Sequence, residues 1–151
     1  MRGLYYEEFS VGMRFEHTLT RTVTEWDNVQ FSTMTMNPQP LHIDAHYSSG
    51  TEFGQPLVNS LFTLGLMIGI SVGDTTLRTT IANLGMREIA FPAPVFQGDT
   101  LSVITEVVAM RASASRPNAG IVEFLHLAYN QKGTEVARCT RSALMHREPT
   151  I

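Results

Sequence analysis

Residues 57–73 read LVNSLFTLGLMIGISVG, and no other stretch limits the possible folds as tightly. Wound as a helix, Leu61, Phe62, Leu64, Leu66, Met67, Ile68 and Ile70 leave it almost no polar face. A helix apolar nearly all round has to be surrounded, by other elements or by lipid. Lipid is the poorer choice. Asn59, Ser60 and Gly65 interrupt the run, and a bilayer span needs about 20 predominantly apolar residues. Gly73 is the expected end of the helix.

What can surround it is β-structure. After Arg78 come four long runs, TTIANLGMREIAF, TLSVITEVVAMRA, GIVEFLHLAYNQ and TEVARCTRSALMHR. They are rich in β-type residues and are parted by PAPVFQGD, SASRPNAG and QKG, which carry the Gly, Pro and Asn that turns require. The last three runs are expected as successive antiparallel partners. Upstream, residues 13–23 alternate loosely and predict a first strand. Thr24, with Asp27 three positions on, predicts a capped helix. Val23, Trp26, Val29, Gln30 and Thr33 recur at helical spacing, and Pro38 and Pro40 stop the helix after about Thr35. A further short helix is expected from Asp44, which would cap it. The predicted class is α+β: a single domain over residues 1–151, with a curled antiparallel sheet wrapped around the long apolar helix. Val103, Ile104, Val107 and Val108 put apolar side chains on both faces of one strand. The outer face is therefore expected to be covered too, by a second copy in a homodimer or larger homo-oligomer.

Composition narrows function by exclusion. With 43% hydrophobic and 17% charged residues, the 151-residue chain has a globular balance. A net charge of −3 and the lack of any basic run give nucleic acid nothing to hold. Cys139, the single cysteine, excludes an intrachain disulfide, fits a reducing compartment and reads as a buried small apolar group. The stretch MRGLYYEEFSVG has no signal-peptide core, so a cytoplasmic protein without a membrane partner is expected. His17, His46, His126 and His146 are scattered without ligand-like spacing, so no metal is expected.

The chemistry sits in NPQPLHID, residues 37–44. Prolines stiffen this loop, and histidine is the only side-chain type in it that ordinarily titrates near neutrality. His42 is thus the natural proton carrier. Asn37 and Gln39 give and accept hydrogen bonds but take no proton, and Asp44 is the nearest carboxylate. Two readings stay open: His42 acts as acid and base, or it only ties the loop while Asp44 caps the next helix. The helix start PLVNSLF, residues 56–62, is the second feature. Its first backbone N–H groups lack internal acceptors and lie at the positive end of the helix dipole. At Asn59 or Ser60 they can hold a developing oxyanion; the alternative is an ordinary start capped by Asn59. Arg116, in SASRPNAG, either meets a phosphate or lies on a solvated hairpin tip.

Taken together, TVTEWDNVQFSTMTMNPQPLHID, GQPLVNSLFTLGLM and FPAPVFQGDTL resemble the MaoC-like, or (R)-specific, enoyl-CoA hydratases, which have the hot-dog fold. ANLGMREIAFPAPVFQGDTLSV and NQKGTEV are similar to one branch, the mesaconyl-CoA hydratases, which interconvert mesaconyl-CoA and β-methylmalyl-CoA. The resemblance implies hydration or dehydration of a 2-enoyl-CoA thioester, with CoA as part of the substrate and no separate cofactor. The family loop Asp-x-Asn-Pro-Leu-His falls on Asn37, Gln39, Pro40 and His42, and its helix-start His-Gly on Asn59 and Ser60. The implied catalytic set is His42 as acid and base, Asn37, and the Ser60 N–H as oxyanion donor. Gln39, Pro40, Asn59 and Arg116 are the implied substrate contacts. Asn37 replaces the family's aspartate, so three outcomes are open: His42 works alone, Asp44 or Glu88 substitutes, or chemistry is lost and the pocket remains. A hot-dog thioesterase and a non-catalytic acyl-CoA-binding protein are the alternatives.

Overall fold

The computed structural model describes residues 1–149. After a 3-10 turn, Tyr6–Glu8, come β1 (Arg14–Glu16), β2 (Arg21–Thr22), α1 (Glu25–Met34), α2 (Pro40–Ile43), α3 (Ala45–Ser49) and α4 (Ser60–Thr75). Four long strands follow: β3 (Thr80–Ala90), β4 (Thr100–Ala112), β5 (Ala119–Tyr129) and β6 (Glu135–His146). The sheet is antiparallel in the order β1-β4-β5-β6-β3, with β2 also on β4. The last three strands are successive partners, as their turn residues predict. No helix among the described residues is long and apolar enough to cross a membrane.

Three departures from the sequence reading have physical causes. The expected first strand is broken in two: the register jumps from Glu16↔Ile104 to Arg21↔Leu101. There His17 turns inward, and its Nδ1 lies 2.7 Å from Asp74 and its Nε2 2.8 Å from Thr105 Oγ1. Helix α4 runs past Gly73 to Thr75. Its C-terminal end is pinned by residues 3 and 4, through Gly3 N–H to the Leu77 carbonyl and Leu4 N–H to the Thr75 carbonyl. A Cβ on Gly3 would collide with the Thr75 carbonyl, so only glycine allows that approach. Helix α1 is capped as expected, with Thr24 Oγ1 accepting from Asp27 N–H and the Asp27 carboxylate from Thr24 N–H. However, it buries Asp27, Asn28 and Ser32, while Trp26 is 68% exposed.

Helix α4 lies on the sheet by Thr63, Met67, Ile70, Ser71 and Thr75. Its other side is uncovered in this chain: Leu61 is 59% exposed, and Gly65, Gly69 and Gly73 follow it at four-residue spacing. The surrounding that its composition demands is therefore half supplied.

On the sheet's inner face two apolar clusters form. One includes Met67, Leu101, Val103, Ala128 and Cys139, the other Phe9, Val107, Phe124, Ala143 and Met145. Between them the register places a polar row, Thr105 beside His126 and then Arg141 on β6. Cys139 is buried as expected, and burial pushes its thiol up to about 11.

Candidate functional site

Pro40 opens α2 at the position where a missing N–H costs nothing. The approach to it is a bent loop. Met36 adopts a left-handed φ of 58°, Asn37 N–H donates to the Ser32 carbonyl, and Asn37 Oδ1 accepts from Gln39 N–H at 3.1 Å. Asn37 thus serves as a turn-maker whose oxygen is already engaged.

His42, half-buried on α2, reaches across to the segment that leads into α4. Its Nδ1 lies 2.7 Å from the Leu57 carbonyl oxygen. A carbonyl only accepts, so Nδ1 carries the hydrogen and the neutral ring keeps its lone pair on Nε2. The ring is therefore set as a proton acceptor at Nε2.

Asn28, fully buried on α1, stitches the two segments together. Its Nδ2 donates to the carbonyls of His42 at 2.9 Å and Leu57 at 3.0 Å, and its Oδ1 accepts from Asn59 N–H at 2.9 Å. Asn59 caps α4 through Leu61 N–H at 3.1 Å and donates to Ser32 Oγ at 3.2 Å. With the Asn59 and Leu61 amides occupied, the Ser60 N–H has no acceptor among the described residues. Ser60 borders a cavity of about 240 Å³ between the start of α4, Phe53, residues 91–95 and Val136.

Of the expected residues only Ser60 borders this cavity; His42 is joined to its wall through Leu57, and Gln39, Pro40 and Asn59 are not part of its lining. Asn37 borders a separate depression with Thr33, Met36, Pro38 and Ile43. Asp44 caps α3, accepting from Tyr47 N–H at 2.9 Å, and Glu88 accepts from the Thr140 hydroxyl at 2.9 Å. Both carboxylates considered as substitutes for a missing base are thus committed elsewhere. Arg116 lies in the β4–β5 turn, at the end where Ala112 pairs Gly120, whereas Val136 follows the Tyr129↔Glu135 pair at the other end. At about 3.3 Å per residue, roughly 30 Å of strand separates them, and this chain does not bring Arg116 to the cavity.

A family model described as "MaoC like domain" matches residues 8–128. The chain belongs to that family. Among MaoC-like relatives, the β-methylmalyl-CoA dehydratase of Chloroflexus aurantiacus is 28% identical over 85% of this chain and 36% of its own length. The 3-hydroxybutyryl-CoA dehydratase of Methylorubrum extorquens is 30% identical over 73% of this chain and 68% of its own. The chain thus spans little more than a third of the first relative's length. A solved structure described as the monoamine oxidase regulatory protein from Archaeoglobus fulgius superposes with a TM-score of 0.86 at 30% identity, covering 99% of this chain and 98% of that one. A Mycobacterium tuberculosis protein described as having a double hot-dog fold gives 0.86 at 24% identity over 99% of this chain and 46% of its own, which shows the fold. The domain is a hot-dog α+β domain, as the resemblance implies.

Sequence reasoning missed Asn28 and the Leu57 carbonyl. A backbone oxygen leaves no residue-type signal. Asn28 had one: the stripe Val23, Asp27 and Phe31 has the same helical spacing as the stripe through Trp26, and it turns Asn28 inward.

Proposed function

We propose that this MaoC-like domain adds water across the double bond of a 2-enoyl-CoA thioester, or removes it in reverse. The observation that carries the reading is the His42 ring, anchored through Nδ1 to Leu57, three residues before the unclaimed Ser60 N–H. In this reading Nε2 takes a proton from a water as its oxygen bonds to Cβ. Electron density moves to the thioester oxygen, which the Ser60 N–H receives at the positive end of α4. The imidazolium then returns the proton to Cα, so one water is added and His42 ends as it began.

Asn37 takes no proton, and neither Asp44 nor Glu88 is part of the cavity lining. This reading therefore assigns the acid–base work to His42 and finds no carboxylate bordering the cavity among the described residues to attack a thioester carbonyl. This favours hydration over a thioesterase. The test is hydration of crotonyl-CoA, followed by loss of the enoyl chromophore, alongside a thiol assay for free CoA. His42→Ala is expected to lower the rate about 100- to 10,000-fold. Asn37→Asp keeps an acceptor for Gln39 N–H and is expected to leave the rate near that of the parent, far from the roughly 100-fold gain that restoring a base would give. Equal rates for parent and His42→Ala sink the reading, and free CoA released without hydration replaces it with the thioesterase.

A second copy is part of this proposal. Strand β3 is an edge strand with Leu84 and Ile89 exposed, and α4 carries its own uncovered apolar stripe. Edge backbone and apolar surface of this kind invite a homodimer.

A further inference from the structure

The cavity beside Ser60 has one chemical property that separates the substrates named for its relatives. Every residue bordering it is uncharged: aromatic and aliphatic side chains, two prolines, and the hydroxyls of Ser60 and Thr63. Among the described residues, no Arg, Lys or His is part of its lining. Thr63 is 1% exposed and its hydroxyl has no hydrogen-bond partner among the described residues, and a neutral hydroxyl offers a carboxylate nothing like a counter-charge. Three guanidinium groups on β3 and β6 are not part of its lining. Arg87 pairs with Glu123 at 2.8 Å, Arg138 with Glu135, and buried Arg141 donates its Nε to His126.

We infer that this cavity receives the acyl chain, and that it selects a neutral acyl group against one ending in a carboxylate. The inference rests on the hydratase reading, because a thioester oxygen on the Ser60 N–H fixes the carbonyl at the cavity wall and leaves the chain beyond Cβ to enter it. A volume of about 240 Å³ takes some six to eight heavy atoms at roughly 30 Å³ each. Counted beyond Cβ, that admits an unbranched or methyl-branched acyl group of up to about ten carbons. A mesaconyl group is small enough to fit, so charge and not size would exclude it. The free carboxylate of that group would have to shed its water against Phe53, Phe91 and Val136 with no cation to receive it.

The experiment compares kcat/KM of the unmodified protein for crotonyl-, hexenoyl-, decenoyl- and mesaconyl-CoA. Crotonyl-CoA is expected to exceed mesaconyl-CoA by at least about 100-fold, with hexenoyl- and decenoyl-CoA on the crotonyl side of that gap. A crotonyl-to-mesaconyl ratio under about ten overturns the inference while leaving the hydratase reading intact. Failure to hydrate any of the four removes the reading itself and the inference with it. The location is tested by Ala93→Leu and Ala93→Trp, two sizes of side chain added from the segment that borders the cavity. Either should depress hexenoyl-CoA more than crotonyl-CoA; a folded variant in which both fall equally, or neither falls, places the chain elsewhere and overturns the assignment.

Discussion

At the scale of residues, the site depends on carbonyls being held where a ring can find them. Leu57 presents one oxygen to two donors, His42 Nδ1 and Asn28 Nδ2. Asn28→Ala would leave the His42 carbonyl and the Asn59 N–H without partners and the Leu57 carbonyl with one, at about 2 to 4 kcal/mol in all. The urea midpoint should fall accordingly, and the hydration rate of the surviving folded protein should fall too, because the Leu57 oxygen loses its second tether. A midpoint within error of the parent would show that the three hydrogen bonds are not worth what their burial suggests. The sequence made His42 legible because a histidine between prolines and a capping aspartate is unusual chemistry in a loop. Asn28 was passed over because an asparagine inside a helix ordinarily faces water, although its place beside the Val23, Asp27 and Phe31 stripe turned it inward. Asn37 stood out for its place in the loop, yet what it does with its oxygen is settled by a backbone turn no composition reveals. Ser60 was legible only as a helix position, and Arg116 only as a charge; where each lies depends on register.

At the scale of elements, most of the plan could be read. Long β-runs with clear turn residues became β3 to β6 within a residue or two, since their periodicity and punctuation agree. The first strand failed because loose alternation cannot show that His17 will leave the ladder for a partner on α4. Helix α4 was read as wholly enclosed, and one chain encloses half of it. A Cβ at Gly65, Gly69 or Gly73 would meet nothing within 4 Å. If a second copy covers that face, Gly69→Gln should shift the protein toward monomer in sedimentation velocity. If the face is free, the same change leaves the assembly unaltered and raises stability by up to about 1 kcal/mol, through helix propensity alone.

At the scale of the whole molecule, the two apolar clusters are parted by charge and hydrogen bonds. Burial, and then the Arg141 guanidinium and His17, push the His126 imidazole down to about 3. An unfolded histidine takes its proton near 6.5, so between that pH and about 3 the unfolded chain is protonated at this position and the native one is not. Stability from this group is therefore full above pH 6.5 and is lost as pH falls toward 3, by on the order of 5 kcal/mol across the window. Urea midpoints at steps between pH 7.5 and 3.5 should decline steadily, and His126→Leu should flatten that decline while lowering the midpoint at pH 7.5. An equally steep acid limb in the variant would assign the effect to other groups.

The same row fixes the placement of every hydrogen along it. Arg141 can only donate, so His126 must accept at Nε2 and give from Nδ1 to Thr105, at 3.2 and 2.8 Å. Thr105 must then give its hydrogen to His17, and His17 gives its own to Asp74 at the protein surface. Each member has one orientation because its neighbour has one, and the guanidinium at the far end dictates them all. The row thus hands hydrogen-bond direction from a buried cation to a surface carboxylate, across three strands and onto α4, without reversing.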